Sequence, residues 1–211
     1  MAEYFNYRLT EDAILYFSNL FETSRYIPEK GKPGDPRYNL KLLLSEGSAD
    51  LEELLALTVD AYGKSINGEK NPFTTGAELI HQAIEKGKDE ATIEKMRKTL
   101  IGKVQFKAHA TAARPPLLGC WVNGKATNLT SPDMVAAAKD KFYPGVLVRA
   151  EVSLQAYSEF GGGVTAYFNS VFSQGRGDRI GGQNDATAFS DLVYKAHLPG
   201  SRPGQVPQSD F

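Results

Sequence analysis

Hydrophobic and polar positions along this chain change their period twice, and the changes divide it into a strand region, a helical region and a second strand region. The segment Ala13 to Ile27 (AILYFSNLFETSRYI) is dense in aromatic and branched residues, the composition of one long, bent strand. A Gly- and Pro-rich run from Gly31 to Pro36 then turns the chain. From Arg37 to Leu44 the period is two: Tyr38, Leu40, Leu42 and Leu44 fall on one side, Arg37, Asn39 and Lys41 on the other. That pattern predicts a half-buried strand with a basic outer face.

At Ser48 the period lengthens. Ser48 has the chemistry of an N-cap, Asp50, Glu52 and Glu53 follow in the first turn, and Leu51, Leu54, Leu55, Thr58 and Val59 recur at helical spacing. A helix to about Tyr62 follows from these signals. Lys64 to Phe73 is polar with Gly and Pro and reads as a loop, whereas Thr75 to Glu85 and Asp89 to Leu100 read as two short helices, the second strongly charged and surface-lying.

Period two returns at Lys103, where Val104, Phe106 and Ala108 alternate with Lys103, Gln105, Lys107 and His109. Pro115-Pro116 interrupts it, and Leu118 to Lys125 resumes as a strand with Cys120 and Val122 opposite Trp121, Asn123 and Lys125. The longest strand spans Val146 to Tyr157, with Val146, Val148, Ala150, Val152, Leu154 and Ala156 inward and Arg149, Ser153 and Tyr157 outward. Gly161-Gly162-Gly163 turns it into a returning strand from Val164 to Phe172, a hairpin. Periodicity alone supports a β-rich α+β fold with an antiparallel sheet. The order strand, strand, helix, then three strands is that of an OB-like barrel with a helical insertion. The expected organisation is a single domain over residues 1–197, its insertion at about 48–100, followed by a flexible tail over 198–211. The tail has three Pro and two Gly in fourteen residues and no periodicity, so it should be disordered.

Composition narrows the class. A chain of 211 residues buries enough surface to need no metal or disulfide staple. Cys120 is the only cysteine, and no Cys/His cluster has zinc spacing, which fits a reducing interior. Residues 1–10 lack the apolar centre of a signal peptide, and no apolar run approaches the ~18 residues of a membrane span. The expectation is a soluble intracellular protein with no membrane association. The net charge of −1 hides an asymmetry: Ser45 to Lys95 holds eleven acids against five Lys, whereas Leu100 to Ile180 holds nine Lys and Arg against five acids. Basic charge therefore concentrates in the strand-rich half.

Catalytic readings fail on spacing. Gly175-Arg176-Gly177 lacks the next glycine of a dinucleotide fingerprint, and no glycine loop ends in Gly-Lys-Ser/Thr. His81, His109 and His197 fall on different elements, and Cys120 points inward. Glu52-Glu53 and Asp89-Glu90 are first-turn helix acids rather than an acid/base pair. The expectation is no enzyme, no metal and no cofactor. What remains is a surface. Arg149 and Tyr157 share the outer side of one strand, Trp121 and Lys125 are read on one side of another, and Arg37 and Lys41 on a third. Flat rings beside fixed cations suit a single nucleic-acid strand, although most aromatics of a sheet are core and most strand Lys and Arg are simply solvated. Phe106 and Phe168 fall in the apolar register and are assigned to the core; Trp121, Tyr157 and Tyr167 fall in the polar one. Tyr16, Phe17, Phe21 and Tyr26 stay undecided, because a bend in the first strand changes which side each faces.

Several ordered blocks carry a resemblance: Asn19-Leu20-Phe21-Glu22, Tyr38 to Leu44, Gly119-Cys120-Trp121, Phe142-Tyr143-Pro144-Gly145 leading to Val148-Arg149-Ala150 and Ala156-Tyr157, Gly163-Val164 to Asn169-Ser170-Val171, and Gly177 to Gly182 followed by Asp185-Ala186 and Phe189. Over roughly Ala13 to Phe189 the chain resembles bacteriophage single-stranded DNA-binding proteins with an OB fold. It departs from them at Tyr167, where a small residue is expected, and in a long, charged stretch from Thr75 to Lys98. The resemblance implies a five-stranded antiparallel OB barrel that coats exposed single-stranded DNA during phage replication and recombination, in the cytoplasm of the infected host and without a cofactor. On that expectation Trp121, Tyr157 and Tyr167 stack bases, and Arg37, Lys41, Lys107, Lys125 and Arg149 line the phosphate track. The ending Asp210-Phe211 resembles the acidic, Phe-terminated tails through which such proteins recruit replication partners; here it docks on a partner or folds back over the basic groove. A homodimer or cooperative assembly on the strand is compatible with an open barrel edge. An RNA-binding OB module, or a virion protein-interaction module using the same surface, are the alternatives.

Overall fold

The structure is a computed structural model that describes residues 4–25, 33–63, 70–158 and 162–181. The tail expected over 198–211, Asp210 and Phe211 included, lies outside the described residues, as do Tyr26 and Ile27.

The first strand is built in three pieces. β1 (Phe5–Arg8) and β2 (Ala13–Leu15) both lie antiparallel on one later strand, β9 (Leu147–Tyr157), and β2 and β3 (Asn19–Ser24) both lie on β4 (Arg37–Ser45). The bent strand expected from Ala13 is thus β2 and β3, broken at Phe17, whose φ is 42°. The piece Phe5–Arg8 escaped the sequence reading because four residues carry too little alternation to stand out from a polar terminus.

After β4 comes α1 (Ala49–Tyr62), capped at Ser48, whose hydroxyl accepts from Leu51 N. β5 (Phe73–Thr75), α2 (Gly76–Glu85) and α3 (Glu90–Leu100) complete the insertion, α2 with a reciprocal Thr75–Glu78 capping box and α3 capped by Asp89. Then follow β6 (Lys103–Thr111), β7 (Leu117–Val122), β8 (Lys125–Asn128), the short α4 (Pro132–Ala137), β9 and β10 (Gly163–Ser173). Pairings β9–β2, β2–β4, β4–β6, β6–β10 and β10–β9 close a ring, so the five-stranded OB barrel is present; its closing β6–β10 pair runs parallel and the others antiparallel.

The inward register fills the barrel: Leu40, Leu42, Phe106, Val148, Val152, Leu154 and Phe168 are buried, so both phenylalanines assigned to the core are in it. α1 supplies Leu51 and Leu54 to this core, and its Tyr62 reaches the Gly162 turn, so the helix covers the mouth where β9 passes into β10. The opposite mouth is covered by Leu129, Ala138 and Phe142, tied down by Ser173 Oγ donating to Lys141 O at 2.5 Å.

α2 and α3 do not enter the barrel. Their Ile80, Ala83, Ile93 and Leu100 pack on Leu43, an outward residue of β4, with Ile14 and Tyr16 beside them. The helices therefore cover the outer face as far as Leu43 and stop short of Lys41, Asn39 and Arg37. β5, read from sequence as the end of a loop, takes the edge of β6 at Val104–Phe106, so β10 meets β6 only at the pair His109–Tyr167. Beyond that point β7 takes over the edge of β10. The barrel seam is consequently narrow and sits at one aromatic pair.

The strand expected over Leu118 to Lys125 ends at Val122, because Asn123 (φ 49°) and Gly124 (φ 75°) form a two-residue hairpin turn of the type that Asn-Gly favours. Trp121 pairs with Ala126 and Val122 with Lys125, so Trp121 and Lys125 lie on opposite faces, not one. The blocks around Phe142–Gly145 and Gly177–Ile180 pack on each other: Tyr143 donates to Gly177 O at 2.8 Å, and the Arg179 guanidinium lies 4.2 Å over the Tyr143 ring. Gly145 has φ 103°, and a Cβ there would stand 1.8 Å from Asp178 O. Only glycine lets these two backbones approach.

Candidate nucleic-acid interface

The outer register of the barrel strands forms rows across the surface. One row runs Asn39 (β4), His109 (β6), Tyr167 (β10), Ser153 (β9), Asn6 (β1), each residue the register partner of the next. Its centre is aromatic: the Tyr167 and His109 rings are 4.5 Å apart and inclined at 55°, and Tyr4 approaches Tyr167 from the other side at 6.2 Å. The polar ends are satisfied locally, with Ser153 Oγ donating to Asn6 Oδ1 at 2.7 Å and accepting from Asn169 Nδ2 at 2.9 Å.

Burial, and then the charge of Arg37, push His109 down to about 4. At neutral pH the ring is therefore uncharged. Arg37 Nη1 stands 3.4 Å from His109 Nε2; a guanidinium can only donate, so Nε2 accepts and the proton belongs on Nδ1. The result is a neutral, tilted ring pair with a cation at its border.

The neighbouring row pairs Lys41 with Lys107, directly across from each other on β4 and β6. Among the described residues neither is in an ion pair with a carboxylate; Lys107 Nζ donates to Thr74 Oγ1 at 3.1 Å. Burial first, and then the Lys41 charge, lower the Lys107 pKa from its usual value. Like charges directly opposite in a sheet cost ~0.2–1 kcal/mol. An anion between the two ammoniums would reverse the sign of that term.

Four of the eight sequence-predicted side chains thus share one face: Arg37, Lys41, Lys107 and Tyr167. The rest are distributed. Tyr157 ends β9 in the outer register, paired with Gly163 at the turn. Arg149 borders a groove of about 410 Å³ at the far end of β10, lined among others by Arg8, Leu117, Gly119, Glu151 and Phe172. Trp121 is 44 % exposed, stands edge-on to Phe172 at 5.6 Å and donates from Nε1 to Gln174 Oε1 at 3.1 Å. Arg149 donates to Asp12 at 3.1 Å, and the same carboxylate holds Arg176 at 3.2 Å. Arg8 pairs with Glu151 beside them. The groove arginines already have carboxylate partners, unlike Lys41 and Lys107. Lys125 is exposed on the reverse of the hairpin from Trp121.

Sequence reasoning missed His109, Asn39 and Tyr4. His109 and Asn39 were legible as outward residues next to Lys107 and Lys41; the unreadable part was the seam, which brings β10 and its tyrosine onto β6. Cys120 is buried, as its inward register implied, and burial raises its thiol pKa. Among the described residues no helix is long and apolar enough to cross a membrane, and no group of three or more His, Cys, Asp or Glu could hold a metal.

An OB barrel whose helices leave one cationic and aromatic outer face open is the class that fold and site define. No protein-family model matches the sequence, and no curated protein matches it. Among solved structures the chain is similar to the single-stranded DNA-binding protein from bacteriophage Enc34, with a TM-score of 0.52 and 14 % identity over 88 % of each chain. The C-terminally truncated form of that protein matches with a TM-score of 0.51 and 14 % identity, over 83 % of this chain and 88 % of that one. These likenesses place the fold with the phage proteins that the sequence resembled.

Proposed function

We propose that this chain binds single-stranded DNA without sequence preference and without catalysis, coating strands exposed during phage DNA replication and recombination in the host cytoplasm. The observation that carries this reading is the open face on which unpaired Lys41 and Lys107 adjoin the Tyr167–His109 ring pair and Arg37. Phosphates lie on the cations, and bases stack on Tyr167 and His109, each worth ~1–3 kcal/mol whatever its identity. The strand continues toward Tyr157 at one end and toward the groove at Arg149 at the other. There Arg149 must exchange Asp12 for phosphate, so its contribution is smaller than that of either lysine. The similarity to the Enc34 protein supports the choice of ligand.

A mobility shift with labelled single-stranded DNA, competed by duplex and by RNA, tests the reading. Retention should favour the single DNA strand, and log affinity should fall with log salt by ~0.7 for each neutralised phosphate, a slope of about 2 from Arg37, Lys41 and Lys107 alone. Equal competition by RNA would point to the RNA-binding alternative. Absence of binding, or affinity independent of salt, would contradict the proposal.

A further inference from the structure

Phe17 combines two properties that a folded chain avoids. It is a non-glycine residue in the left-handed region, at φ 42°, and its ring is 50 % exposed. For a bulky residue such a backbone is strained and persists only where the surroundings enforce it. The surroundings do. Tyr16 N donates to Lys41 O at 2.7 Å, Ser18 Oγ accepts from Lys41 N at 2.8 Å, and these bonds pin both flanks of Phe17 to β4. The strain does not serve packing, because the turn lifts the ring out of the core. Its ring partner is Tyr16, edge-on at 4.7 Å, which itself packs against the small core formed by α2, α3 and Leu43.

The location matters more than the strain. Tyr16 and Ser18 bond to the backbone of Lys41, so Phe17 flanks the Lys41–Lys107 pair on the β2–β3 side, while the Tyr167–His109 pair lies beyond those lysines on the β6–β10 side. We infer that Phe17 is a second base-stacking platform for the single-stranded DNA proposed above, held outward by the strained turn and backed by Tyr16, so that the phosphate on Lys41 and Lys107 is bracketed by a ring on either side. This rests on the single-strand reading and adds to it a residue, a direction across the sheet and a use for the strained turn.

Phe17→Gly separates the possibilities, since glycine adopts the same φ without strain and removes only the ring. Fluorescence anisotropy with labelled oligo(dT) should show affinity falling ~5- to 150-fold, the equivalent of ~1–3 kcal/mol for one stacked base. Melting temperature should stay the same or rise. An abasic strand of the same length should bind the wild-type and Phe17→Gly chains equally, because it has nothing to stack, and Phe17→Trp should retain oligo(dT) affinity. Unchanged oligo(dT) binding by Phe17→Gly, or an equal loss on the abasic strand, would overturn the assignment while leaving the single-strand reading intact. Failure of the wild-type chain to bind oligo(dT) would overturn both.

Discussion

Asp50→Ala is expected to destabilise the fold by ~3–5 kcal/mol and to lower the melting temperature by roughly 10 °C. The side chain is 1 % exposed and accepts from four donors: Tyr7 Oη at 2.7 Å, Thr10 N at 3.0 Å, Thr10 Oγ1 at 2.8 Å and Glu11 N at 2.9 Å. It thereby fastens the bend between β1 and β2 to the first turn of α1, where a carboxylate also meets the positive end of the helix. Truncation leaves two backbone N–H groups and two hydroxyls without an acceptor, and a buried donor left unpaired costs ~1–3 kcal/mol. Burial works against ionisation of Asp50, but the Thr10 and Glu11 amides and the Tyr7 and Thr10 hydroxyls outweigh it and hold its pKa below the usual value. Tyr7 responds in the opposite sense, pushed up to about 12 by its own burial and by the hydrogen bond and charge of Asp50. A depressed carboxyl pKa contributes stability that is complete above the unfolded value of about 4 and is lost as pH falls through the folded value. The stability gap between wild type and Asp50→Asn should accordingly close on acidification. Thermal melts of the three chains check both statements, and an Asp50→Ala melt matching wild type at neutral pH would contradict the first.

The second large effect is on binding. Reversing both lysines, Lys41→Glu with Lys107→Glu, should weaken single-stranded DNA binding on the order of 100-fold at low salt and lower the salt slope by ~1.4, two phosphates' worth. A like-charge pair faces across β4 and β6 in both chains, and neither side chain packs in the core, so stability should change little. The same double reversal in the groove, at Arg149 and Arg176, should have a smaller effect on binding, because Asp12 already answers both charges there. Salt titrations of the two double variants compare the faces directly. A larger loss from the groove variant would move the phosphate track to β9 and β10.

How far the sequence foretold this molecule depended on whether a signal was local. Ser48 with its first-turn acids and the Leu51–Leu54 spacing marked α1, and strict alternation marked β4, β6, β9 and β10 together with their inner and outer faces. Asn123-Gly124 was also a local signal, and reading it as a hairpin turn would have put Lys125 and Trp121 on opposite faces from the start. What could not be read is long-range. Nothing near Tyr167 says that β5 and β7 occupy the neighbouring edges, so that a single residue pair closes the barrel and brings Tyr167 against His109. Nor does the sequence near Arg149 show that Asp12, far off in the chain, partners it. The cations therefore looked equivalent in sequence and differ in the fold.

The account stands on the outer face of β4, β6 and β10 as the path of the strand. Photocrosslinking the chain to oligo(dT) carrying 5-bromodeoxyuridine, followed by identification of the modified residues, tests it most directly. Adducts on Tyr167 and His109 are the predicted result; adducts confined to Trp121 and the β7–β8 hairpin, with β6 and β10 unmodified, would contradict it.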